Sequence, residues 1–134
     1  WGTWVLVFRQ RNTVLSPVDT CARNLQDPSA DLFSRLDDLE LYRGPDGKFL
    51  FMLVFPDRPM PNFNVWAQRS NPVRTEAGSG ADGFEPLEIA CRRDDRGGGA
   101  FQGLQRSRSE DFLMHGYNPA NPDSCWYVVG SGRP

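Results

Sequence analysis

Residues 46–56 constrain this chain more than any other segment. The turn pair Asp46-Gly47 leads through Lys48 into seven consecutive apolar residues, 49–55, and Pro56 stops them. A short apolar run bounded by turn residues reads as a buried strand rather than a helix. An aromatic-centred segment, Asn64-Val65-Trp66-Ala67-Gln68-Arg69-Ser70-Asn71-Pro72-Val73, returns soon afterwards and reads as its neighbour. Neither segment carries reactive chemistry. Together they define a β-rich module.

The remaining strands are shorter. Residues 1–8 form an apolar run in which Trp4, Leu6 and Phe8 share one face and Val5 and Val7 the other, as in a strand buried on both sides. Residues 84–91 alternate, with Pro86 placing them at a sheet edge. Residues 101–104, 112–114 and 125–130 are further strand candidates, and the two terminal strands are expected to pair. Leu32, Phe33, Leu36 and Leu39 form the one stripe at helical spacing, with Ser29 or Asp31 as N-cap. The expected fold is mainly β, a β-sandwich or jelly-roll-like arrangement with one short α-helix. Residues 1–134 read as a single β-rich domain. Because the chain opens on Trp1, a module excised or processed from a longer chain is expected.

At 134 residues with 39% hydrophobic content, such a domain can bury a core without staples. The net charge of −2 argues against a nucleic-acid partner. No segment approaches the roughly 18 apolar residues of a membrane span. Lys48 is the sole lysine among fifteen basic residues. The arginines are scattered, which fits compositional bias better than a carboxylate- or phosphate-binding cluster. Cys21, Cys91 and Cys125 match no metal or redox spacing. In an oxidising compartment Cys91 and Cys125 are the favoured pair, because both flank apolar strands; three inert thiols are the alternative.

An ordered set of marks covers nearly the whole chain: Trp4 with Val7-Phe8-Arg9-Gln10, then Phe33-Ser34, Leu36-Asp37 and Leu39, then Asp46 to Phe51 and Trp66 to Val73. Gly83-Phe84-Glu85-Pro86, Gly103-Leu104 and Trp126-Tyr127 complete it. In these marks the chain resembles an extracellular lectin-like or adhesive module of marine-invertebrate matrix and surface proteins. The resemblance implies a secreted, cell-surface or lumenal setting and no catalytic residues. The chain departs from that pattern at Met52, where lysine is expected, and at Phe101-Gln102, where Trp-Gly is. The His115-Gly116 region replaces an acidic Asp-Gly before the last strand.

Catalytic signals are weak. His115 is the only histidine, no nucleophile elbow is present, and a strand-end role fits it better than acid–base work. The adjacent acids Asp37-Asp38, Asp94-Asp95 and Glu110-Asp111 diverge along a chain and form no dyad by spacing. No cofactor is expected. A Ca2+ site would draw on Asn118, Asn121, Asp123 and Glu110 or Asp111, but turn chemistry explains the same residues. For glycan recognition, Trp66 and Gln68 share one strand face, while Tyr117 with Asn118 offers a second platform. Trp66 fits a core better. Arg69, Asn71, Tyr117 and Asn118 are therefore the expected ligand-binding residues. A non-enzymatic recognition module for a glycan or protein partner is the expected function. A structural subunit of a larger assembly is the alternative, and a hydrolase using His115 or opposed carboxylates the distant third.

Overall fold

The structure, a computed structural model, describes residues 2–11, 21–57, 62–90, 101–108, 112–116 and 127–131. The Asp46-Gly47 turn forms as its residues require. Gly47 takes φ +80°, which side-chain-bearing residues avoid. The Gly44 amide donates to the Lys48 carbonyl at 2.8 Å, and the Lys48 amide donates to Asp46 Oδ1 at 3.0 Å. The chain leaves this turn as an extended strand.

Eight strands are described: β1 (Phe8–Gln10), β2 (Leu32–Ser34), β3 (Phe49–Val54), β4 (Phe63–Gln68), β5 (Glu85–Ile89), β6 (Gln105–Arg106), β7 (Phe112–Gly116) and β8 (Tyr127–Ser131). They pair antiparallel in three sheets, β1-β2, β3-β4-β5 and β6-β7-β8. One helix, Leu36–Tyr42, completes the described elements. The fold is mainly β with one helix, as expected.

Three expectations are corrected. Residues 2–7 are not a strand, and Val5 and Leu6 are exposed. Only Phe8–Gln10 pairs, because the partner available to it is the three-residue β2. The terminal strands do not pair either: β1 joins β2, and β8 joins β7. The helical stripe is split. Leu32 and Phe33 are captured as strand by β1, and Ser34 also bridges to Arg23. Leu36 and Leu39 then face the core from a 3₁₀ helix, not an α-helix. Their three-residue spacing suits the 3₁₀ repeat as well as the α repeat, so the sequence pattern alone does not separate the two.

One apolar cluster takes residues from the helix and from the two three-stranded sheets. It includes Leu36, Leu39, Phe49, Trp66, Ile89, Phe101, Leu104, Met114 and Val129. Trp66 lies at its centre, 4.8 Å from the Phe101 ring in an edge-on arrangement and 5.4 Å from Phe51. Within β3-β4-β5 the register places Phe49, Phe51 and Leu53 beside Gln68, Trp66 and Asn64 on this inner face. Leu50, Met52 and Val54 lie on the opposite face with Phe63, Val65 and Ala67; Val65 is fully buried there, whereas Leu50 and Val54 at the β3 edge are exposed. Trp4, expected deep in the core, is only half-buried.

Candidate functional site

Gln68 ends β4 on the core face, and its amide is fully engaged. Oε1 accepts from Trp66 Nε1 at 2.8 Å and from the Leu104 amide at 3.1 Å. Nε2 donates to the Ser70 carbonyl at 2.8 Å and to the Leu104 carbonyl at 3.0 Å. Every donor and acceptor that a glutamine amide offers is thereby used inside the protein. Trp66 and Gln68 do share one face, as their spacing requires. That face is internal, so they present no platform to a sugar.

Three residues further on, Asn71 also turns inward. Its side-chain carbonyl accepts from the Val73 amide at 3.1 Å, and Nδ2 donates to Glu40 Oε1 at 3.1 Å. At 4% exposure it is not the exposed residue that its loop position predicts. Burial follows from the Asx-turn bond, which curls the segment back over its own side chain.

Glu40 belongs to a second polar hub that sequence reasoning missed. Arg43 donates through Nε and Nη2 to the two Glu40 oxygens at 2.8 and 2.9 Å. Its Nη1 donates to the carbonyls of Gly47 and Arg69 at 2.7 and 2.6 Å. The guanidinium also lies 4.2 Å from the Phe49 ring centroid. The hydrogen bonds from Arg43 and Asn71 hold the Glu40 carboxyl well below its ordinary range, at about 2. One arginine thus joins the helix end, the Asp46-Gly47 turn and the end of β4. The available signal was the Glu40–Arg43 spacing of three residues immediately before Gly44-Pro45.

Arg69 is exposed, as expected. Its Nε donates to Asp82 Oδ2 at 3.2 Å, and its side chain lies across Gly83. Tyr117, Asn118 and the residues considered for Ca2+ lie outside the described residues, as do Cys91 and Cys125. Among the described residues no group of three or more His, Cys, Asp or Glu is placed to hold a metal. Cys21 carries a free thiol, and burial, reinforced by Asp37, pushes its pKa up. That disfavours the nucleophilic thiolate. His115 lies in β7 opposite Gln105 and Val128.

A shallow cleft of about 260 Å³ is lined by Gly78, Ser79, Gly80, Ala81, Gln102, Gly103 and Gln105. Among the described residues no carboxylate, histidine or cysteine lines it. Gln105 Oε1 accepts from the Gly80 amide at 2.7 Å, so the lining closes on itself.

The two edges of β3-β4-β5 differ sharply. On β5 the edge carries Glu85, Pro86 and Glu88, with a register irregularity opposite Val65 and Trp66. Charges, proline and bulges are the usual protections of a sheet edge. On β3 the sequence Phe-Leu-Phe-Met-Leu-Val has none of them. The Phe55 amide donates to Asn62 in the bond that extends the β3–β4 ladder, so odd-numbered residues of β3 face β4. The N–H and C=O groups of Leu50, Met52 and Val54 therefore point away from the sheet, and no described residue pairs with them. Leu50 and Val54 are 49% and 45% exposed.

Among the described residues no helix is long and apolar enough to cross a membrane. Comparison with protein-family models, curated proteins and solved structures finds no match to this chain.

Proposed function

We propose that this chain is a non-enzymatic recognition module of a secreted, cell-surface or lumenal protein, and that it binds a protein partner through the β3 edge of its sheet. The observation that carries this reading is the unguarded edge, where apolar side chains accompany a backbone row that no described residue pairs with. Main-chain bonding gives affinity to such an edge, and the flanking side chains give selectivity. The lectin-like resemblance is compatible with this setting. Its glycan arm is weaker here, because Trp66, Gln68 and Asn71 are committed internally and Arg69 alone of the described candidates faces solvent.

The structural-subunit reading has its own support in Leu41, which is 79% exposed at the helix, and in exposed Val5, Leu6 and Leu25. Photo-crosslinking separates the possibilities. A crosslinker replacing Leu50 or Val54 is expected to give discrete protein adducts, and one replacing the exposed Glu76 none. Adducts concentrated at Leu41 instead favour the subunit reading. Selective glycan-array binding lost in Arg69→Ala, with no adduct from β3, would overturn the protein-partner reading.

A further inference from the structure

We propose that the occupant of the β3 edge is a second copy of this chain. Two β3 strands pair antiparallel about a two-fold axis at Met52 and merge two three-stranded sheets into one of six strands. This rests on the protein-partner reading above and specifies which partner.

The outward-facing backbone row, which no described residue pairs with, is bounded at both ends. Toward its start, the Lys48 amide is taken by Asp46 Oδ1 and the Lys48 carbonyl by the Gly44 amide. Toward its end, Pro56 has no N–H. Leu50, Met52 and Val54 thus form a row centred on Met52. An antiparallel partner must oppose outward-facing residues with outward-facing residues. Centring on Met52 sets Leu50 against Val54 of the other copy and Met52 against Met52, so each member of the row meets another.

Shifted registers do worse. An axis at Phe51 opposes Val54 to Lys48, whose two backbone groups are already bonded. An axis at Leu53 opposes Leu50 to Pro56, which cannot donate. The row is therefore complementary to itself in one register. That is the geometry of a two-fold interface, where the same patch serves both partners.

The side chains agree with this pairing. Leu50, Met52 and Val54 share one face, so Leu50 packs beside Val54 of the other copy at both ends. Lys48, whose ammonium pairs with Glu85 at 3.0 Å, comes opposite Pro56, next to Asp57, so no like charges meet at either end of the seam. The contrast with β5 points the same way, since the edge that carries protection is the one left open in a six-stranded sheet.

The test uses the 134-residue chain in sedimentation equilibrium, hydrogen exchange and disulfide trapping. The expected result is a mass that doubles with concentration. Amides of Leu50, Met52 and Val54 gain protection as it does, while Phe51 and Leu53 are protected throughout. Opposed residues in such a pair have Cα atoms about 5.5 Å apart, within disulfide reach. Met52→Cys under oxidised glutathione should give a 52–52 link in peptide maps. Leu50→Cys alone should not self-link, but mixed with Val54→Cys it should give a 50–54 link.

The double variant Leu50→Lys/Val54→Lys sets lysine against lysine across the seam and should be monomeric. Both side chains are exposed, so its melting temperature should stay close to that of the monomeric wild type. A wild type that remains monomeric with unprotected β3 amides overturns the proposal. If that monomer still gives adducts to another protein from β3, the protein-partner reading survives; if it gives none, both fall. A dimer with neither protection at β3 nor a 52–52 link also overturns the proposal, because the interface then lies elsewhere.

Discussion

Gln68 and Arg43 perform similar tasks under different conditions. Each gathers two main-chain carbonyls and ties the end of β4 to a separate segment. Gln68 is neutral and fully buried, and its bonds serve the centre of the core. Arg43 is charged, with its head near the surface, where water can replace lost partners. A neutral amide can enter the core because it carries no ionic desolvation cost, whereas a guanidinium at the same place would be strongly penalised. Deletion should therefore cost most at Gln68, where the abandoned groups have no access to water.

The largest effect is expected for Gln68→Ala. It strands the Trp66 indole N–H and both Leu104 backbone groups, at about 1–3 kcal/mol for each buried group left unpaired. Together these approach the stability of a marginal domain. Urea unfolding should show a collapse of the midpoint or no cooperative transition. A loss similar to that of Arg43→Ala would break the contrast between the two hubs.

Gly103→Ala should come next, because it acts on the same hub. Gly103 has φ +89°, and an added Cβ would lie 2.7 Å from Ala81 Cβ and 2.8 Å from Gln68 Oε1. Backbone strain alone is about 1–3 kcal/mol, and displacing Gln68 adds to it. Gly47→Ala is the control. Its φ is +80°, but nothing lies within 4 Å of the added methyl, so only the backbone strain remains. Equal losses in thermal unfolding would sink the crowding explanation.

How far each hub could be read in advance follows from the range of its contacts. The Asp46-Gly47 turn, the β3 run and the Pro86 edge strand were legible because each depends on neighbours in sequence. Residues 1–8 looked equally strand-like, but pairing requires a partner of matching length, and sequence patterning does not reveal partners. Trp66 was correctly read as core. Asn71 was expected on the surface, and Gln68 was placed only on the face of Trp66, because their partners lie far away in sequence, at Glu40 and Leu104. Strand order was equally hidden, so the composition of β3 did not identify it as an edge.

Asn71→Ala should have an intermediate effect and reverses an expectation drawn from the sequence. As an exposed ligand residue it would weaken binding and leave the fold intact. Its burial predicts a stability loss of about 1–2 kcal/mol, through the stranded Val73 amide. Asn71→Asp keeps the acceptor for Val73 but sets a second carboxylate against Glu40. At neutral pH it should be at least as destabilised as Asn71→Ala, because it buries a charge beside Glu40, and it should recover as the pH drops. Chemical unfolding of the three proteins at two pH values reads this directly. A fully stable Asn71→Ala with impaired partner binding would restore the ligand role.

The smallest effect is expected at Glu40, and pH exposes it. Its carboxyl is lowered from 4.5 to about 2 by Arg43 first and Asn71 second. A group with a depressed folded-state pKa stabilises the fold above its unfolded pKa, and that contribution is lost as pH falls toward the folded value. The Glu40 contribution should be complete above about pH 5 and fade between roughly pH 4.5 and 2. The side chain is 44% exposed, so water and salt screen the pair and the effect should be modest. Wild type and Glu40→Gln should differ in unfolding midpoint at pH 6 and converge toward pH 2, with the gap at pH 6 narrowing in high salt. A gap independent of both pH and salt would mean that Glu40 acts through packing, leaving Arg43 held mainly by the Gly47 and Arg69 carbonyls and the Phe49 ring.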